Sequence, residues 1–163
     1  MPVFNEEKTV VRAIKRVLKT NIKGLRKELI VVDDGSTDHT ARELKKVKDK
    51  RVMIITHRKN RGKGAAIISG MKEMSGDLAV IQDADLEYDP RDLGLLLSPI
   101  LEGKADVVFG SRFVGSGPHR VLYFWHRVAN QLITFLSDCL TNLNLTDVET
   151  GYKAFTREVS QKI

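Results

Sequence analysis

The densest acidic group in the sequence follows the apolar run at residues 78–81 and comprises Asp83, Asp85 and Glu87. Side chains at positions i and i+2 of an extended segment point to the same side, so we expect the three carboxylates to converge. Crowded carboxylates at the end of a buried strand are unfavourable unless a cation neutralises them. Oxygen ligands suit Mg²⁺ or Mn²⁺, which also bind substrate phosphates. The sequence therefore predicts a divalent-metal site here, and a solvated acidic turn is the simpler alternative.

A second pair of carboxylates, Asp33 and Asp34, follows another apolar run. A strand-to-helix turn explains the residues after this pair, with Gly35 for the backbone and Ser36 or Thr37 as the helix N-cap. Such a turn does not explain two adjacent aspartates, because their charges repel each other. We therefore expect at least one of the two to bind the base or the ribose of a nucleotide.

Two basic residues stand where they could meet an anion. Lys63 lies in the glycine-rich turn at residues 60–66, which leads into a predicted helix, and a helix N-terminus can bind a phosphate. The spacing of a Walker A loop is missing, and a simple helix-entry turn explains this segment equally well. Arg112 follows the apolar run at residues 107–109, where it could either balance the acidic group or clamp a phosphate.

An alternation of short strands and amphipathic helices is predicted to position these groups. Each apolar run is too short for a buried helix and lacks polar alternation, which suits strands buried on both faces of a parallel sheet. The predicted strands are residues 29–32, 52–55, 78–81, 107–109 and 152–155, and the predicted helices are residues 7–20, 37–48, 63–75 and 90–103. This order predicts an α/β fold, in which ligands gather at the carboxyl ends of the strands.

Length and composition fit one soluble globular domain spanning residues 1–163. The net charge of +6 is compatible with phosphorylated small molecules, anionic lipid or nucleic acid. Cys139 is the only cysteine, so no internal disulfide is possible, and we expect it to be a buried, inert thiol. No run reaches the length of a membrane-spanning helix, and no signal peptide is visible, so a cytoplasmic or peripheral location is expected. Both ends resemble cuts through a larger domain.

Five motifs occur in an order that resembles family 2 glycosyltransferases, especially the polyprenyl-phosphate (dolichol-phosphate mannose synthase-like) branch. The motifs are residues 2–6, 33–38, 60–66, 83–85 (the Asp-x-Asp motif) and 110–112, and the stretch from 111 to 155 is also similar to that branch. The resemblance implies a GT-A fold with a mostly parallel central sheet flanked by helices. It also implies inverting transfer of a sugar from a nucleotide-diphosphate sugar. The Q-x-x-R-W motif of processive synthases is absent, which argues against polymerisation.

The resemblance also implies roles for individual residues. The nucleoside and donor would be bound by Pro2, Phe4, Glu6, one or both of Asp33 and Asp34, Lys63, Asp83 and Ala84. Asp85 would be a direct ligand of Mg²⁺ or Mn²⁺ on the diphosphate, Asp83 would lie near the ribose or the metal, and Glu87 would complete the metal shell. Arg112 and Arg127 would bind the phosphate of donor or acceptor.

The acceptor decides whether a catalytic base is needed. A hydroxyl acceptor would need a carboxylate base, with Asp147 or Glu149 as candidates. A phosphate monoester has a second pKa of about 6 and is already a nucleophile near neutral pH, so we favour a polyprenyl phosphate. Residues 120–140 combine a broad apolar face with basic residues, which is typical of an interfacial helix, although a core helix explains the pattern equally well. We therefore expect a position at the cytoplasmic face of a membrane.

Two other classes of protein are weighed against this interpretation. A receiver-type phosphoacceptor also places aspartates and Mg²⁺ at strand ends, but it requires a lysine where Arg112 follows its strand. A nucleic-acid-binding module is suggested only by the positive charge, and no aromatic stacking motif accompanies the dispersed basic residues. The sugar, the base of the nucleotide and the acceptor are not determined by the sequence.

Overall fold

The computed structural model describes residues 1–22, 24–111 and 124–163. The strands are β1 (Pro2–Val3), β2 (Leu29–Asp33), β3 (Val52–Thr56), β4 (Leu78–Val80), β5 (Val107–Phe109) and β6 (Lys153–Thr156). The helices are α1 (Val10–Lys19), α2 (Thr40–Leu44), α3 (Lys63–Lys72), α4 (Leu93–Leu101), α5 (Phe124–Thr141) and α6 (Arg157–Ser160), and a 3₁₀ turn, Pro90–Asp92, leads into α4. The predicted α/β class is confirmed.

The described strands form two three-stranded sheets. The first has the order β1-β2-β3 and is entirely parallel, with Val3 beside Asp33 and Asp33 beside Thr56. The second has the order β4-β6-β5, and β6 runs antiparallel to both of its neighbours. The parallel register brings the carboxyl ends of β1, β2 and β3 to one edge, which is where the predicted site residues of the first half of the chain lie.

Helix α1 covers the first sheet because its apolar residues recur at helical spacing. Val10, Ile14 and Val17 are buried against Val31 of β2 and Leu44 of α2. A second cluster packs α4 against β6 and consists of Leu93, Leu96, Leu97, Ile100, Tyr152 and Ala154. These two clusters fix the sheets beneath the loops that carry the polar residues.

Helix α2 is much shorter than the predicted helix at residues 37–48, and Ser36 and Thr37 do not cap it. Ser36 Oγ instead accepts a hydrogen bond from the Asn5 amide at 3.0 Å, and the Thr37 amide donates to Asn5 Oδ1 at 2.8 Å. Asp38 accepts the Thr40 amide at 2.9 Å, so that α2 begins at Thr40. The hydroxyl residues therefore connect the first loop of the chain to this turn.

Three burial predictions are wrong, and one of them concerns β5, which was expected to be buried on both faces although its Val107 is 39% exposed. Strand β3 was expected to be buried on both faces, but it is an edge strand of the first sheet, and Met53 and Ile54 are 46% and 38% exposed. Cys139 was expected to be buried and is exposed. The reason lies in α5, whose buried residues are the polar Asn130 and Thr134, so an apolar pattern on this helix does not indicate burial. Within the described part of the chain, no helix combines the length and apolarity needed to cross a membrane.

Candidate functional site

A cavity of about 290 Å³ lies where the ends of β1 and β2 meet the acidic loop that follows β4. Eight predicted site residues line it: Pro2, Phe4, Glu6, Asp34, Lys63, Asp83, Ala84 and Asp85. Val3, Asn60 and Ala66 complete the wall. Asp33 and Glu87 are not among the described residues that line this cavity. The fold thus gathers residues that are up to 83 positions apart in the sequence, from Pro2 to Asp85, around one volume of the size of a small-molecule site.

Lys63 and Asp83 form an ion pair at the wall of the cavity. The Lys63 Nζ atom lies 2.7 Å from Asp83 Oδ1 and 2.9 Å from Asp83 Oδ2, so that the ammonium group faces both carboxylate oxygens. The side chain of Asp83 is 15% exposed, whereas that of Lys63 is 54% exposed. Lys63 is the first residue of α3, and the sequence assigned both residues to donor binding without indicating that they touch.

The expected convergence of three carboxylates is not observed. Leu86 has a φ of 69°, and the Glu87 amide donates to Asp85 Oδ1 at 3.0 Å, so the chain turns after Asp85. The i, i+2 argument holds only for an extended segment and fails beyond that turn. No group of three or more His, Cys, Asp or Glu side chains in the described ranges is arranged to hold a metal ion. Of the three carboxylates in this acidic group, only Asp83 and Asp85 are therefore among the described residues that line the cavity.

The electrostatics at Asp85 suit a cation. Partial burial raises the pKa of Asp85, and the negative charges of Asp83 and Glu87 raise it further, while the Glu87 amide and Lys63 oppose the shift. A divalent ion beside Asp85 would relieve this repulsion. Two carboxylates with oxygen ligands from a bound phosphate form a suitable donor set for Mg²⁺ or Mn²⁺. The residues present therefore fit such an ion.

Asp34 is buried, and its hydrogen bonds hold the loop before α3. Its oxygens accept the amide of Gly62 at 2.8 Å and the amide of Arg61 at 3.0 and 3.1 Å. His57 Nδ1 lies 2.6 Å from Asp34 Oδ1, and His57 Nε2 lies 2.9 Å from Ser69 Oγ. Burial alone would raise the pKa of Asp34, but the hydrogen bonds from His57, Arg61 and Gly62 outweigh it and lower the pKa below its ordinary value.

The contribution of His57 was missed from the sequence. His57 lies 23 positions after Asp34, and no local pattern links the two residues. Its place directly after β3, whose last residue pairs with the last residue of β2, could have suggested the contact. Asp33 is also buried, and its Oδ1 accepts the Ser36 amide at 3.0 Å within the turn.

The segment that leads into β6 packs against Asp83 and the acidic loop. Gly151 packs so closely that an added Cβ atom would lie 2.3 Å from Asp83 Oδ2. The Gly151 amide donates to Tyr88 Oη at 2.7 Å, and Tyr152 Oη donates to Gln82 Oε1 at 2.9 Å. These contacts tie the acidic loop to the second sheet, and they were not foreseen because they join residues more than 60 positions apart.

Asp147 and Glu149, the two candidate bases, meet at Asn130 of α5. Asn130 Nδ2 donates to Asp147 Oδ1 and to Glu149 Oε2, both at 2.9 Å. Asp147 is only 1% exposed, whereas Glu149 is exposed. Of the predicted phosphate-binding arginines, Arg127 is exposed in the first turn of α5 and does not line the described cavity. Arg112 lies outside the described residues.

Comparisons with known proteins point to one family. The chain is 28% identical over 174 residues to the UDP-N-acetylglucosamine–dolichyl-phosphate N-acetylglucosaminyltransferase of Methanococcus voltae, which covers 96% of this chain and 68% of that protein. It is 36% identical over 166 residues to the dolichol-phosphate mannosyltransferase of Pyrococcus furiosus, which covers 100% of this chain and 47% of that protein.

Solved structures show the same fold. The crystal structure of Mycobacterium tuberculosis glucosyl-3-phosphoglycerate synthase in complex with Mn²⁺, UDP and phosphoglyceric acid matches with a TM-score of 0.71 at 25% identity. The match covers 97% of this chain and 54% of that one, so the chain spans about half the length of this neighbour. The family model for glycosyl transferase family 2 matches residues 1–163. The chain therefore belongs to glycosyltransferase family 2.

Proposed function

We propose that this glycosyltransferase moves a sugar, with inversion at the anomeric carbon, from a nucleotide-diphosphate sugar to a polyprenyl phosphate. The observation that carries the proposal is the cavity in which Lys63, Asp83 and Asp85 meet the loop at residues 2–6. Asp83 and Asp85 in the wall of this cavity suit a metal-bound diphosphate, and Pro2 and Phe4, which also line it, suit a nucleoside. The complexes of the mycobacterial synthase with Mn²⁺ and UDP support a donor of this kind.

Each group in the cavity has a role in this proposal. Pro2, Phe4 and Glu6 bind the nucleoside, and Asp85 is the ligand of Mg²⁺ or Mn²⁺ on the diphosphate, with Asp83 beside it. When bound, the divalent ion supplies the Lewis acidity that stabilises the charge on the leaving nucleoside diphosphate. Asp34 fixes the loop that carries Lys63 through its bonds to the Arg61 and Gly62 amides, while Asp33 stabilises its own turn.

Transfer to a phosphate needs no base from the protein. An oxygen of the acceptor phosphate attacks the anomeric carbon as the bond from that carbon to the diphosphate oxygen breaks, and the electron pair leaves with the nucleoside diphosphate. Arg112 and Arg127 are proposed to bind the acceptor phosphate. Asp147 is deeply buried and bonded to Asn130, which agrees with a role in positioning α5 rather than in removing a proton.

The exposed face of α5 supports a lipid acceptor. Its buried residues are Asn130 and Thr134, and its apolar residues face outward: Phe124, Trp125, Val128, Leu132, Ile133, Phe135, Leu136 and Leu140 are 38–88% exposed. A helix with polar residues inside and apolar residues outside suits the surface of a bilayer, where its basic residues would meet anionic headgroups. The names of the archaeal relatives, which include dolichyl phosphate, agree with this acceptor. We place the site at the cytoplasmic face of the membrane.

A transfer assay tests the proposal. The chain is incubated with Mn²⁺, a radiolabelled UDP- or GDP-sugar, and either a polyprenyl phosphate or the matching polyprenol. We expect label to enter the lipid fraction with the phosphate and not with the alcohol. Equal or greater transfer to the polyprenol would contradict the acceptor proposal and would favour a hydroxyl acceptor with Glu149 as the base. If the chain bound neither a UDP-sugar nor a GDP-sugar, the donor assignment would be contradicted.

A further inference from the structure

The ammonium group of Lys63 occupies the face of Asp83 that a divalent cation would need. Its Nζ atom lies within 2.9 Å of both carboxylate oxygens, so it meets the carboxylate as a chelated cation would. Two cations cannot share that position, because like charges a few ångströms apart repel strongly in a partly buried site. Without a donor, Lys63 is thus the cation that pairs directly with Asp83.

The backbone of Lys63 is fixed, while its side chain is free to change partner. The two preceding residues, Arg61 and Gly62, donate their amides to buried Asp34, and the Ala66 amide donates to the Gly62 carbonyl at 3.2 Å. The Lys63 side chain is more than half exposed, and a lysine has a flexible four-carbon stem with a compact charge. The ammonium group can therefore swing into the cavity while α3 stays in place.

We propose that Lys63 is an exchangeable counter-ion: it neutralises Asp83 in the free protein, gives up that carboxylate to the divalent cation when the donor binds, and then pairs with the diphosphate of the donor. This inference rests on the proposed function. The diphosphate attracts the displaced ammonium group, and the N-terminus of α3 adds a favourable field at the same place. The exchange keeps Asp83 neutralised both before and after the donor binds.

If this exchange occurs, a single substitution of Lys63 should strengthen the binding of Mn²⁺ alone and weaken the binding of nucleotide. In Lys63→Met, which removes the charge and keeps the length, Mn²⁺ without nucleotide should bind about two- to fivefold more tightly, because the competing ion pair is gone. UDP or GDP in the presence of saturating Mn²⁺ should bind at least about tenfold more weakly, because a charge-assisted hydrogen bond is lost. Free Mn²⁺ can be followed by electron paramagnetic resonance and nucleotide binding by calorimetry.

Lys72→Met is the matched control, because Lys72 is an exposed lysine in the last turn of the same helix. The same charge is removed about 13 Å along the helix, and neither affinity should change by more than about twofold. Unchanged or weaker Mn²⁺ binding in Lys63→Met, or unchanged nucleotide binding, would overturn the inference. If the wild-type protein itself bound no nucleotide with Mn²⁺, the proposed function would fail instead. Lys63→Gln provides a second variant, and unfolding curves confirm that each variant folds.

Discussion

The loop that precedes α3 at the cavity depends on the carboxylate of Asp34. Asp34 is 2% exposed and accepts hydrogen bonds from Arg61 and Gly62, with His57 beside it. A buried carboxylate with several donors contributes to stability through its ionised form, because hydrogen bonds to charged groups are stronger than those between neutral groups. The position of Lys63 beside Asp83 therefore depends on Asp34, which binds the backbone of the two residues before Lys63.

Asp34→Asn should lower the free energy of unfolding by about 2 kcal/mol at pH 7, because the amide cannot accept all of these bonds. Since the folded-state pKa of Asp34 lies below its ordinary value, the stabilisation is present above about pH 4 and is lost as the pH falls through the folded-state pKa. Urea unfolding of both proteins at pH 7 and at about pH 3 measures this difference. Asp77→Asn, which changes an exposed carboxylate, is the control. A difference that stays constant with pH would contradict the assignment.

At the scale of elements, the turn after β2 and the loop after β3 approach each other at Gly35. Its φ is 71°, and an added Cβ atom would lie 2.5 Å from the Lys59 carbonyl carbon and 2.7 Å from the Asn60 nitrogen. Only glycine allows both the left-handed conformation and this approach. The cavity wall formed by Asp34 and Asn60 depends on this contact.

Gly35→Ala should be more destabilising than Gly103→Ala. Gly103 has a similar φ of 67° but no atom within 4 Å of an added Cβ, so it isolates the backbone strain, which costs about 1 kcal/mol. The collision with the backbone at Lys59 and Asn60 should add at least about 2 kcal/mol in Gly35→Ala. Thermal and urea unfolding of the two variants provide the comparison. Equal losses of stability in both variants would show that the close approach is unimportant.

The sequence predicted most elements from local patterns, and its errors occur where tertiary contacts decide. Hydrophobic periodicity placed α1, the glycine-rich turn at residues 60–66 indicated the start of α3, and the apolar runs placed β2 to β5. The predicted start of α2 was wrong because Asn5, far away in the sequence, is the hydrogen-bond partner of Ser36 and Thr37. The orientation of α5 was left open because periodicity does not reveal which face packs against the protein. The Asp-x-Asp motif was recognised in the sequence. The ion pair between Asp83 and Lys63 and the close approach of Gly151 to Asp83 could be seen only in the fold.

The outward apolar face of α5 should bind membranes, and Trp125, the single tryptophan, reports on it. The fluorescence emission of Trp125 should shift to shorter wavelength when vesicles that contain anionic phospholipid are added. The shift should be smaller with neutral vesicles. Leu136→Ser should weaken the partitioning by about tenfold, because a buried leucine side chain contributes about 1.5 kcal/mol or more. Leu95→Ser on α4, where Leu95 is 78% exposed, is the matched control and should leave binding unchanged. Identical binding by all three proteins would exclude α5 as the contact.

At the scale of the whole molecule, the family assignment covers residues 1–163 and favours the glycosyltransferase interpretation over the receiver-like alternative. Organisation as one catalytic domain stays a prediction. The chain spans about half to two thirds of the length of the relatives described above. The cavity gathers residues from the first loop, the end of β2, α3 and the acidic loop, so its geometry depends on the packing of both sheets rather than on any single motif.

The central claim is that Asp85 and a divalent cation together bind the diphosphate of the donor. Calorimetric titration of UDP and GDP into the wild-type protein and into Asp85→Asn, each with and without Mn²⁺, tests it directly. We expect Mn²⁺ to strengthen nucleotide binding by at least about tenfold in the wild-type protein and by less than about twofold in Asp85→Asn. An equal gain from Mn²⁺ in both proteins, or no gain in the wild-type protein, would contradict the claim.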